Sequence, residues 1–151
     1  MGRTDRVSRV VPAPADRVFG AFTDPDDLVA WLPPTGMSGR FEHADIRSGG
    51  SYRMVLAYDE PGHGKSGDDT DIVDVRILEV VPGERLVQAA DFESDDPAFA
   101  GTMTMTWSVA PHPDGSLVEI RADDVPPGIS ADDHEAGITA SLANLARLLA
   151  G

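Results

Sequence analysis

Residues 102–109 read TMTMTWSV, a stretch in which Met103, Met105, Trp107 and Val109 alternate with Thr102, Thr104, Thr106 and Ser108. A period of two is that of a β-strand, so the segment is expected to be a strand with one apolar face and one hydroxyl face. An indole and two flexible thioethers can fill a solid core, or they can line a cavity that adapts to a ligand. The choice separates a structural strand from a binding site.

Working outward, the turn PHPDG leads into SLVEIRADDV (116–125), which alternates in the same way. On the other side, RLVQAADF (85–92) is joined through PGE (82–84) to DIVDVRILEVV (71–81), a hairpin pattern. Earlier still, RFEHADI (40–46) and SYRMVLAY (51–58) flank Gly49–Gly50, a second hairpin. The loops between these runs are EPGHGKSGDD (60–69) and ESDDPAFAG (93–101). Near the start, RVSRVV (6–11) is a first strand with edge character, stopped by Pro12 and Pro14. Six further strands then form an antiparallel meander.

Helices bracket this sheet in sequence. PADRVFGAF (14–22) puts Ala15, Val18, Phe19 and Phe22 on one stripe, and DPDDLVAWL (24–32) offers Asp24 as N-cap, Pro25 at the first helical position and acids in the first turn. Pro33–Pro34 ends the second of these short helices. The last segment, 130–150, carries Ile138, Leu142, Leu145 and Leu149 at helical spacing after Ser130 and Asp133 at capping-box spacing. A sheet with one apolar face and a long helix with one apolar stripe are solved by laying the helix across the sheet. The expected class is α+β.

Composition removes several function classes. The 151 residues carry a net charge of −14, which argues against nucleic acid and against an anionic membrane surface. There is no cysteine, hence no disulfide framework and no thiolate site, and the four histidines lack the spacing of a helical metal site. Met1 leads into GRTDRVSR without an apolar leader, and no apolar run is long enough to span a bilayer. A cytoplasmic protein of one domain (1–151) with no cofactor, no metal and no membrane insertion is expected.

Three ordered motifs and the order of elements carry a family resemblance. PADRVFGAFTDPDDLVAWLPP (14–34), DIRSGGSYRM (45–54), EVVPGERLV (79–87) and the order of elements resemble the START/Bet v 1-like (SRPBCC) superfamily, in the AHSA1-like branch related to the C-terminal domain of the Hsp90 ATPase activator. The resemblance implies a helix-grip fold: a curved antiparallel sheet of about seven strands wrapped around a long C-terminal helix, with two short helices after the first strand. Two departures stand out. Ile138 follows Gly137 where relatives carry tryptophan, and Arg121–Ala122 stands where many carry Thr-His.

In such a fold the gap between sheet and helix is often a ligand cavity. Alternation directs Met103, Met105, Trp107, Val109, Val118, Ile120, Ala122, Gln88, Ala90 and Phe92 toward the helix, with Tyr52, Met54 and Leu56 sharing that face. The candidate pocket is therefore Trp31, Tyr52, Met54, Gln88, Ala90, Phe92, Met103, Met105, Trp107, Ile120, Ile138 and Leu142, with ordinary core as the competing reading and packing between helix and sheet the competing role for Trp31. Gln88 is the most informative, because a buried amide needs partners.

No catalytic residue is assigned. Glu42 and His43 are adjacent on one strand and cannot both face inward; the family's hairpin pattern favours the register with Glu42, Ala44 and Ile46 inside. Asp132, Asp133, His134 and Glu135 read as helix capping, and Asp68, Asp69 and Asp71 near His63 as a solvated loop. Ser66 does not resemble a nucleophile elbow. The leading function is binding of a small hydrophobic or amphipathic ligand, with a polyketide cyclase or hydrolase-type enzyme as one alternative and an Hsp90-type co-chaperone as another. A chaperone partner is not expected, because the chain corresponds to one domain without an additional N-terminal chaperone-binding domain. A homodimer is left open.

Overall fold

The computed structural model describes residues 3–34, 36–59 and 70–150. His63, Ser66, Asp68 and Asp69 lie outside the described residues. Strand β1 (Asp5–Val11) is followed by helices α1 (Ala15–Thr23) and α2 (Pro25–Trp31). Strands β2 (Met37–Asp45), β3 (Ser51–Tyr58), β4 (Thr70–Val81), β5 (Arg85–Phe92), β6 (Met103–His112) and β7 (Gly115–Asp123) come next, and helix α3 (Ala131–Ala150) closes the fold. A short 3-10 turn, Pro97–Phe99, interrupts the β5–β6 connection. All strand pairs are antiparallel, in the order β1-β7-β6-β5-β4-β3-β2. This is the expected α+β helix-grip architecture, with β1 at one edge.

The helix ends follow their local chemistry. Asp24 accepts a hydrogen bond from the Asp26 amide at 2.9 Å and caps α2, while Ser130 accepts from the Asp133 amide at 3.1 Å at the start of α3. At the other end of α2, Pro33 and Pro34 have no N–H to offer the last carbonyls. Helix α3 supplies the missing donors. Ser141 Oγ donates to the Leu32 carbonyl at 2.6 Å and Asn144 Nδ2 to the Pro33 carbonyl at 3.0 Å. Two polar side chains thereby fix where α2 meets α3.

The outer and inner faces of the first hairpin are set by a bulge. Phe41 pairs with Met54, His43 with Arg53 and Ala44 with Tyr52, so Glu42 is the extra residue. Phe41 and Ala44 consequently share the inner face, although three positions apart. Neither simple alternation describes the strand: Ala44, though exposed, pairs on the inner-face row as one register requires, but Glu42 does not. Glu42 Oε1 accepts from Arg53 Nε at 3.0 Å on the outer face, and exposed His43 Nε2 lies 3.2 Å from Ser51 Oγ. Arg53 also binds Asp74 at 2.7 Å and Glu93 at 2.9 Å, tying the outer face together.

Two glycines yield opposite expectations. Gly115 opens β7 at φ 137°, and a Cβ there would sit 2.1 Å from the Val11 carbonyl oxygen. Gly137, inside α3, has nothing within 4 Å of such a Cβ. Gly115→Ala is expected to lose more than about 1 kcal/mol of stability, whereas Gly137→Ala is expected to gain about 0.5–1 kcal/mol through its helix preference. Paired denaturant titrations check both signs.

Candidate functional site

The concave side of the sheet is divided in two. Toward α1 and α2 it is solid: Phe22 stands 5.6 Å from Trp107, Trp31 5.2 Å from Trp107, and Phe19 5.8 Å from Phe22, centroid to centroid. Trp31 is fully buried and donates its indole N–H to the Ala21 carbonyl at 2.9 Å. It joins helix to sheet and does not line a cavity. Leu142 is likewise fully buried in the core rather than at the cavity wall.

On the other side of Trp107 a cavity of about 980 Å³ separates the sheet from the first half of α3. Nine of the sequence-derived candidates lie on its wall: Tyr52, Met54, Ala90, Phe92, Met103, Met105, Trp107, Ile120 and Ile138. The strand read first thus serves both purposes. Trp107 presents one side to the aromatic cluster and another to the cavity, while Met103 and Met105 contribute adaptable walls. Among additional wall residues, Val73 and Val75 come from β4, whose inward face the alternation of DIVDVRILEVV could have revealed.

Gln88 stands behind this wall. Its side chain is 1% exposed, and its Oε1 accepts from Tyr52 Oη at 3.3 Å. Burial pushes the Tyr52 phenol well above its usual range, so it stays protonated and able to donate. Gln88 Nε2 and Trp107 Nε1 are buried without a hydrogen-bond partner among the described residues. The fold therefore holds polar groups in its interior next to the cavity.

Polar groups also gather at the wall itself. Asp71, expected in a solvated loop, is the second residue of β4, 3% exposed, and accepts from Tyr58 Oη at 2.7 Å. Pairing with Leu56 places it on the same inward row as Val73. Burial, then the hydrogen bond to Asp71, pushes the Tyr58 phenol upward. His134, read from sequence only as part of a helix cap, also lines the cavity, and its Nδ1 lies 2.8 Å from Asp5 Oδ2. That pairing spans 129 positions, which no local pattern could disclose.

Asp5 is 3% exposed and bound by Arg3 at 2.9 Å. Burial by itself pushes the Asp5 carboxyl up, but hydrogen bonds and charge from Arg3 and His134 outweigh it and hold the carboxyl below its ordinary value. By contrast, Glu42, His43, Gln88 and Tyr52, the side chains that a cyclase or hydrolase using this cavity would have to bring together, do not converge: the first two are outside and the last two bond to each other inside. Among the described residues no group of histidines and carboxylates is arranged to hold a metal ion. No helix there is long and apolar enough to cross a membrane.

The Tyr52–Gln88 pair generates a stability test. Tyr52→Phe leaves the buried Gln88 amide without its partner and should cost about 1–3 kcal/mol. The double variant Tyr52→Phe/Gln88→Leu should recover much of that loss, because neither polar group then remains unpaired; urea melts of all four forms measure the coupling.

The comparisons agree with this architecture. Protein CV1439 from Chromobacterium violaceum is 34% identical, the match covering 98% of this chain and 97% of that one, with a TM-score of 0.86. DynU16, described as a putative protein in the dynemicin biosynthetic locus, is 26% identical over 97% of this chain and 47% of its own, with a TM-score of 0.71. MLL2253 from Mesorhizobium loti is 23% identical over 98% of this chain and 97% of its own, with a TM-score of 0.71, a likeness of fold. A search of curated proteins finds no match. The family described as Activator of Hsp90 ATPase homolog 1-like protein matches residues 12–150, and the chain belongs to that family.

Proposed function

We propose that the protein binds a small hydrophobic or amphipathic molecule between the sheet and the first half of α3. The observation that carries this reading is the cavity of about 980 Å³ beside Trp107. Protein interiors are otherwise close-packed, and a void of this size is at the upper end of ligand pockets. Its wall combines a large apolar share, four methionines and a few polar groups, the composition that orients an apolar ligand while tolerating variation in its shape. The relative from a biosynthetic locus supports a small-molecule ligand rather than a macromolecular one. Lack of cysteine supports a cytoplasmic setting, since small domains in oxidising compartments commonly use disulfides.

The test is a thermal-shift and tryptophan-fluorescence screen with lipids and neutral polycyclic aromatic compounds. A ligand at a hundred times its Kd should stabilise the fold by about 2.7 kcal/mol. Ala90→Phe, which projects a ring into the cavity, should remove the response while leaving a cooperative unfolding transition. No response to any compound at saturating solubility would count decisively against the reading.

A further inference from the structure

His134 and Asp5 form an arrangement that ligand binding alone does not require. Asp5 on β1 is buried and held by Arg3, through both Nε at 3.1 Å and Nη2 at 2.9 Å. It faces His134 Nδ1 across 2.8 Å, and ionised Asp5 can only accept, so the neutral imidazole carries its proton on Nδ1. The lone pair is then on Nε2. This atom has no hydrogen-bond partner among the described residues, yet it is not among their buried unpartnered atoms, which are Gln88 Nε2 and Trp107 Nε1. His134 thus lines the cavity, with Nδ1 fixed by a carboxylate and Nε2 left without a hydrogen-bond partner among the described residues.

We propose that His134, oriented by Asp5, is a general base that takes a proton from a neutral carbon acid, such as the C–H beside a ketone, bound in this cavity. The inference rests on the proposed binding function and adds a reaction to it. Proton removal leaves the carbon's electron pair as an enolate, and the imidazolium formed at Nε2 returns the proton to the enolate at the same or a neighbouring carbon, so no oxidant or second substrate is needed. Asp5 stabilises the imidazolium and keeps the tautomer, which makes it a positioning residue. The charged and titratable groups around His134 include Arg3, just before β1, Asp5 on β1 and Asp133 on its own helix, with Asp71 and Tyr58 elsewhere on the cavity wall. The carboxylates favour a neutral substrate over an anion.

The probe is 5-nitrobenzisoxazole, a flat neutral molecule. Base removes its C–H proton, the electron pair forms the nitrile, and the N–O bond breaks to a coloured phenolate. Wild-type protein is expected to accelerate ring opening at least about 100-fold over buffer. His134→Gln should abolish the acceleration, and Asp5→Asn should lower kcat about 10-fold or more with little change in KM. Melting curves establish that the variants fold, and binding of 5-nitroindazole, an unreactive analogue, is measured in parallel. Analogue binding with no His134-dependent turnover would overturn the general-base assignment and leave the binding function standing. Failure of both probe and analogue to bind would overturn the two together.

Discussion

Trp107 is the residue around which the two halves of the interior are arranged. Its indole is packed by Phe22 and Trp31 on one side and borders the cavity on the other. Such ring contacts add about 0.5–1.5 kcal/mol per pair beyond the area they bury. The cluster also fixes α1 and α2 against β6, and α2 in turn carries the carbonyls that Ser141 and Asn144 grip. These bonds hold the C-terminal half of α3, while its N-terminal half, tied to β1 through His134 and Asp5, forms a wall of the cavity.

That division gives the interior a chemical gradient. Beside the aromatic cluster the wall is made by Ile120, Met105 and Ala90, whereas Ser130, Asp133 and His134 bring polar groups from the start of α3, and Asp71 and Tyr58 from β4 and β3. A ligand with one apolar body and one polar end would meet matching surroundings at each. Asp5 matters here although it does not line the cavity, because its burial and its bond to Arg3 determine how His134 is presented.

The elements were legible in the sequence because their signals are local. Alternation in TMTMTWSV, the Asp24–Pro25 cap and the leucine stripe after Ser130 each specify a short-range geometry, and the motif order implied how the pieces join. The candidate wall was legible where period two held, as in Met103, Met105 and Trp107. Gln88 on its strand row and Leu142 on its helix stripe both point inward but lie behind the cavity surface, since periodicity gives the face and not the depth. Trp31 was ambiguous for a related reason: an apolar helix face can meet either a void or a ring, and only the position of Trp107 decides. The Asp5–His134 bond joins the first strand to the last helix, and neither residue has a neighbour in sequence that announces the other.

The bulge at Glu42 has a consequence for how this hairpin can vary. Its side chain is exposed and bonded to Arg53 on the outside, yet its backbone is the extra unit that lets Phe41 and Ala44 lie on one face. At that position, chain length carries more information than side-chain identity. Exchanging the glutamate alters one surface ion pair, while removing the residue would rotate everything before it or everything after it by half a period. The hairpin's inner surface is thus protected by a count of residues and not by any one of them.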